Sequence, residues 1–165
     1  MSKSLNLNVV DSGVSGVTTL VLDKSIINFG NDFRVKTQSA NELILTNMTS
    51  PLGKGETYRL LVNPVKDIYK NAGIDPVLYA ASRRGVSVVN SLHSVYTVTE
   101  STTGVTYDLP ISGQIILKIP SDPLITPAIT EDFLGRVLAG LYESGSATTA
   151  RLSAVLRGSL KPIDL

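Results

Sequence analysis

Residues 109–160 read LPISGQIILKIPSDPLITPAITEDFLGRVLAGLYESGSATTARLSAVLRGSL and predict one strand followed by two helices. Apolar and polar side chains alternate in the first part, which is typical of a strand with one solvated and one covered face. The alternating residues are Ile111, Ser112, Gln114, Ile115, Leu117, Lys118 and Ile119. The covered face needs a packing partner.

The two predicted helices are amphipathic. Thr126 and Pro127 are typical N-cap and first-turn residues and begin the first helix. Its apolar stripe consists of Phe133, Leu134, Val137, Leu138 and Leu141. The second helix is predicted over 147–157, with Gly158 as its C-terminal stop and with Leu152, Val155, Leu156 and Leu160 on one side. Because such short helices are not stable alone in water, they must pack on a sheet, either of this chain or of a partner.

The composition excludes several classes of protein. The 165 residues predict a single domain, 1–165, and the net charge of +1 gives no global electrostatic case for binding nucleic acid. The absence of cysteine excludes disulfides and thiolate chemistry. No apolar run suits a signal peptide or approaches the roughly 20 residues of a membrane helix, so we expect synthesis in the cytosol and no membrane partner.

The order of the predicted elements indicates an α+β fold. An N-terminal β-hairpin is predicted over 1–24, and an antiparallel meander over 33–120 with strands at 33–37, 42–49 and 57–65. A long segment, 66–108, is predicted to be an inserted hairpin or a long ordered loop within that sheet. Two C-terminal α-helices follow within 126–160.

Three blocks of sequence carry a family resemblance through their order and spacing. They are 11–22 (DSGVSGVTTLVL), 42–64 (ELILTNMTSPLGKGETYRLLVNP) and the strand and helices from 112 onward. Together they resemble the coat proteins of single-stranded RNA bacteriophages. The resemblance implies an interlocked dimer, in which two sheets join edge to edge and the helices of each subunit reach across the partner. The length of 66–108 departs from the best-known members and implies altered contacts between dimers.

The resemblance also implies the site residues. RNA contacts are expected on the inward sheet face at Leu45, Asn47, Thr49, Arg59, Leu61, Ser112 and Gln114, with Ser112 standing where a relative has a base-stacking aromatic. Lys54, Lys36 and Arg34 are expected to attract phosphate without sequence preference. The alternative for both sets is that they are ordinary solvated residues of a one-sided sheet. The dimer interface is expected at Phe133, Leu134, Val137, Leu138, Leu141, Leu152, Val155 and Leu156.

No catalytic constellation is visible in the sequence. His93 is the only histidine and has no cysteine or histidine cluster near it, so it is predicted to be an ordinary surface or interface residue, and no metal or cofactor is expected. Glu131 and Asp132 are predicted to favour the N-terminal part of their helix rather than to act as a catalytic pair.

These expectations combine into one predicted function. The chain is expected to be a major capsid protein whose partners are itself, as a dimer and then as an icosahedral shell, and single-stranded genomic RNA. It is expected to lie in the virion, and in the host cytoplasm during assembly, and to hold an RNA hairpin as a translational repressor. The alternative is a small cytosolic α+β enzyme or ligand-binding domain, which would be a monomer with a concave pocket.

Overall fold

The computed structural model describes residues 5, 8, 26–66, 68, 73, 85–142 and 151–161. These residues belong to two compact units, a sheet unit over Ile27–Asp122 and a helical unit that includes the chain from Pro123 onward. The hairpin predicted over 1–24 lies outside the described residues, apart from the isolated Leu5 and Asn8. It therefore stays a prediction, as does the single domain.

The sheet unit is a five-stranded antiparallel meander, in which neighbours in sequence are neighbours in space. This arrangement confirms the predicted α+β class and the meander. A short helix α1, Phe29–Asp32, leads directly into the first strand. The strands are β1 (Phe33–Gln38), β2 (Glu42–Asn47), β3 (Thr57–Val65), β4 (Gly85–Thr99) and β5 (Thr106–Pro120).

The predicted insert over 66–108 is wrong in extent, because β4 is a full strand of the sheet. β4 is 15 residues long and pairs with β3 on one side and with β5 on the other. Its alternation is weak in the sequence because polar residues occur on both of its faces, for example Asn90 on one and Ser91 on the other. β5 likewise begins at Thr106, earlier than the predicted start at Leu109.

The backbone favours glycine at two places in the sheet unit, Gly104 and Gly85. Gly104, with φ of +70°, lies in the turn between β4 and β5, where a positive φ suits a residue without a Cβ atom. At Gly85, where β4 begins, a Cβ atom would lie 2.7 Å from the carbonyl oxygen of Ile119 on β5. A side chain at this position would force the two strands apart, so the first paired residue of β4 has to be a glycine.

The register divides the sheet into two chemically different faces. The polar face carries the cross-strand neighbours Arg59, Ser91 and Gln114, and the apolar face carries Tyr58, Leu92 and their neighbours. Phe33 and Leu45 lie on the apolar face and are the buried apolar side chains among the described residues. The Phe29 ring of α1 covers this corner, with ring centroids 5.4 Å from Phe33 and 4.9 Å from Tyr58.

The helical unit contains two described helices. α2, Pro127–Ala139, begins as predicted, with the Thr126 hydroxyl accepting a hydrogen bond from the backbone N–H of Ile129 at 3.5 Å. α3, Leu152–Leu156, is shorter than the predicted 147–157, of which residues 147–150 lie outside the described part. It is followed by Gly158 with φ of +92°, which confirms the predicted stop. Neither helix is long and apolar enough to cross a membrane.

Candidate nucleic-acid interface

An open depression of about 490 Å³ lies on the polar face where β3, β4 and β5 run side by side. Two rows of residues across the strands form this depression. The register sets Arg59, Ser91 and Gln114 opposite one another in the first row. Thr57, His93 and Ser112 form the second row beside it. The complete lining is Thr57, Arg59, Ser91, Leu92, His93, Ser112, Gly113 and Gln114. The lining therefore combines small polar side chains, one cation and one imidazole with Leu92 and Gly113, whose register positions belong to the other face of the sheet.

The chemistry of this lining suits a polar, anionic ligand. The Arg59 guanidinium offers donors in a planar fork that matches phosphate oxygens. The Gln114 amide and the Ser91 and Ser112 hydroxyls both donate and accept, so they can pair with base edges or with sugar hydroxyls. The described residues hold no group of three or more acidic, histidine or cysteine side chains that could bind a metal ion.

Arg59 already has an anionic neighbour. Its Nε donates to Oε1 of Glu42 at 2.5 Å, and both side chains are only partly exposed. Among the described residues, no other side chain holds the two terminal guanidinium nitrogens of Arg59. These nitrogens can therefore reach a phosphate, but the Glu42 carboxylate partly neutralises the charge that would attract it.

Two of the other predicted cations of the sheet, Lys54 and Arg34, are engaged locally. Lys54 Nζ lies 2.7 Å from Oδ1 of Asp108 and 2.9 Å from Oγ1 of Thr97. The hydrogen bond from Lys54, together with one from Thr97, lowers the pKa of the Asp108 carboxyl. Nη1 of Arg34 donates to the backbone oxygens of Gly30 and Phe33. Neither Lys54 nor Arg34 lines the depression, whereas Arg59 does.

The predicted RNA-contact residues do not all share one face. Arg59, Ser112 and Gln114 line the depression, and Leu61 lies on the same polar face opposite Val89. Leu45 instead pairs with Tyr58 on the apolar face and is only 8% exposed. Its predicted position on the face of Arg59 is wrong, because Ile44 is the β2 residue that pairs with Arg59.

Asn47 and Thr49 are also separated from the depression. Asn47 pairs with Phe33, and its side chain donates to Oε1 of Glu56 at 2.9 Å. Its Oδ1 accepts from both the backbone N–H and the hydroxyl of Thr49, which lies in the turn after β2. Ser94 donates to the second Glu56 oxygen at 2.6 Å. These residues stabilise the turn between β2 and β3 rather than line the polar face.

Sequence reasoning missed five lining residues, namely Thr57, Ser91, Leu92, His93 and Gly113. Ser91 and His93 lie on β4, inside the segment that was predicted to be an insert. The signal that could have found these two residues is the spacing of two that places Ser87, Val89, Ser91 and His93 on one face of a strand. Only the register shows that this alternation points to the same side as Arg59.

The predicted dimer-interface residues lie on the two described helices, except for Leu141 in the turn after α2, and none of them is buried in the single chain. Phe133 is 53% exposed and Leu156 is 86% exposed. Val137, Leu141 and Leu152 are also exposed, whereas Leu134, Leu138 and Val155 are half-buried. The apolar stripes thus exist as predicted but are largely uncovered in one copy.

Comparison with known proteins gives a consistent result. No protein-family model and no curated protein matches the chain. Among solved structures, the chain is similar to the virus-like particle of bacteriophage AVE015, with 29% identity, a TM-score of 0.81, and coverage of 99% of this chain and 100% of that chain. It is also similar to the virus-like particle of bacteriophage GQ-112, with 16% identity, a TM-score of 0.74 and coverage of 96% and 98%.

The two comparisons carry different weight. The likeness to the GQ-112 particle supports the fold alone, whereas the likeness to the AVE015 particle combines fold, sequence and full coverage of both chains. The AVE015 chain comes from a virus-like particle, which favours the predicted structural protein over the alternative of a small cytosolic enzyme. The resemblance to RNA-phage coat proteins that the sequence first indicated is therefore confirmed, in fold over nearly the whole chain and in sequence at 29% identity.

Proposed function

We propose that the chain is the major capsid protein of its phage and that it assembles from dimers into an icosahedral shell around single-stranded RNA. The observation that carries this proposal is the similarity over the full length of both chains to a protein that forms a virus-like particle. Assembly takes place in the host cytoplasm, and the assembled protein lies in the virion.

The exposed helix stripes support the dimer. Phe133 and Val137 lie on one side of α2, Leu141 follows in the turn after it, and each of the three is more than two-fifths exposed. Burying such surface stabilises a complex by about 25 cal/mol per Å² of apolar area removed from water. Contiguous apolar surface on a small protein marks an interaction site. The apolar face of the sheet is exposed as well, at Tyr96 and Leu109 among others, and a second copy supplies the helices that cover it.

The two edges of the sheet are unequal, which indicates where two sheets join. β1 is 6 residues long and its register shifts between Val35 and Thr37, and such irregularity protects an edge from pairing. β5 at the other edge is 15 residues long, with an unbroken register to β4. Two copies of β5 related by a two-fold axis would pair as antiparallel strands. This pairing would cover the β5 edge in both subunits at once.

The polar-face depression is the RNA contact in this proposal. Arg59 binds phosphate, while Gln114, Ser91 and Ser112 bind base edges or sugar hydroxyls of an unpaired strand. The same face would hold an RNA hairpin when the protein represses translation. Because the net charge of the whole chain is only +1, RNA affinity depends on this local arrangement.

Substitution of the ion pair tests the RNA contact. Arg59→Ala is expected to weaken binding of single-stranded RNA and to reduce the slope of log affinity against log salt by about 1, because one phosphate contact is lost. Glu42→Gln is expected to strengthen binding a few-fold, because the carboxylate 2.5 Å from Arg59 no longer competes with phosphate. Fluorescence anisotropy at several salt concentrations measures both effects.

The matched control is Lys36→Ala, which removes the same charge from an exposed position on β1. It is expected to change affinity and salt slope less than Arg59→Ala does. Equal effects of the two substitutions would show that Arg59 contributes only to the general charge. The proposal as a whole is tested by extracting nuclease-protected RNA from purified particles, and particles that contain none would contradict the packaging role.

A further inference from the structure

The His93 imidazole lies within the polar-face depression, and no role has been assigned to it so far. We infer that His93 is a stacking platform for one base of a bound single-stranded RNA. This inference rests on the proposed RNA-binding function and adds a named residue to it. It replaces the expectation from sequence that His93 is an ordinary surface histidine.

The distribution of rings between the two faces is the first support. Phe33, Tyr58, Tyr96 and Tyr107 all occupy apolar-face positions in the register of the described strands. His93 pairs with Thr57 and Ser112, and in the described strands its ring is the one planar ring on the polar face. A strand of RNA lying on this face would therefore meet a single aromatic ring, and histidine is among the residues on which unpaired bases stack.

The surroundings of His93 are the second support. Its direct neighbours across the strands, Thr57 and Ser112, are small, and the His93 side chain is exposed. No described side chain hydrogen-bonds its ring. The depression of about 490 Å³ falls within the range of about 300–1,000 Å³ that is usual for small-ligand sites. A base therefore has access to the flat face of the ring.

The adjacent row supplies the other contacts that a nucleotide needs. Arg59, Ser91 and Gln114 lie one row away from His93 on the same face. A base on the imidazole would place its sugar and phosphate within the same depression as the Arg59 guanidinium, and its edge near the amide of Gln114. No described carboxylate lines the depression, so a catalytic or metal-binding use of His93 has no partner there.

The test measures binding of fluorescein-labelled oligo(A) and oligo(U) to the full-length protein freed of RNA. His93→Ala is expected to weaken binding about tenfold, which is within the range reported for loss of one stacked base. The salt slope should stay unchanged because no phosphate contact is lost, unlike in Arg59→Ala. His93→Phe should restore affinity to within about twofold, whereas His93→Leu, which has bulk but no π-system, should stay weak.

The outcomes distinguish failure of the stacking role of His93 from failure of the proposed RNA contact. If the unchanged protein binds RNA and Arg59→Ala weakens it while His93→Ala does not, the stacking role is wrong and the RNA interface stands. If His93→Phe binds as weakly as His93→Ala, the imidazole acts through hydrogen bonds or charge, and stacking is overturned. If the unchanged protein binds neither oligonucleotide, both the inference and the proposed RNA contact fail. Circular dichroism controls for folding, which an exposed side chain should not alter.

Discussion

Phe133→Asp is expected to abolish dimers and particles and to leave a folded single chain. Phe133 lies in the middle of α2 and is 53% exposed, so one copy of the protein gains little from it. In the proposed dimer its ring is buried, and loss of a buried phenylalanine costs about 3–5 kcal/mol. An unpaired carboxylate adds a desolvation penalty, and a two-fold interface contains the change twice.

Analytical ultracentrifugation measures the assembly state of this variant, and circular dichroism measures its folding. The control is Ala128→Asp, an exposed position in the first turn of α2, where a negative charge is tolerated. Ala128→Asp should assemble like the unchanged protein. Normal particles from Phe133→Asp would mean that the α2 stripe does not form the dimer contact.

Leu45→Ala is expected to destabilise the fold by about 2–5 kcal/mol without lowering the RNA affinity of the remaining folded protein. Leu45 is 8% exposed and lies on the apolar face beside Tyr58, in the corner that Phe29 covers. The substitution leaves a cavity at one of the two buried apolar side chains of the described residues, Phe33 and Leu45. This outcome separates a core role from the RNA contact that the family resemblance implied for Leu45.

Thermal unfolding of the protein freed of RNA measures the loss, and anisotropy with single-stranded RNA measures the affinity. The control is Ile44→Ala, the neighbouring residue on the polar face, which is only half-buried and should cost less. Unchanged stability together with weaker RNA binding in Leu45→Ala would place its side chain on the RNA side of the sheet.

Local signals made part of the fold predictable from sequence. The bounds of β3 agree with the prediction, because Tyr58, Leu60 and Val62 alternate with Arg59 and its neighbours between a glycine turn and Lys66. The start of α2 was predictable from Thr126 and Pro127, which act on the backbone within one turn of the helix.

The features that depend on register were not predictable in the same way. Leu43, Ile44 and Leu45 form an unbroken apolar run, so nothing in β2 alone shows which residues share a face with Arg59. The same limit applies to the site, since Ser91 and His93 are separated from Arg59 by more than 30 residues and only strand pairing brings them together. Arg59, Ser112 and Gln114 were found because the resemblance, and not periodicity, indicated them.

We infer that this chain completes its structure only by joining other copies of itself. Size-exclusion chromatography with light scattering on the freshly expressed protein tests this inference. We expect RNA-containing particles with a mass many times the 17.6 kDa of one chain. A stable, soluble species of 17.6 kDa that shows no tendency to dimerise would contradict it.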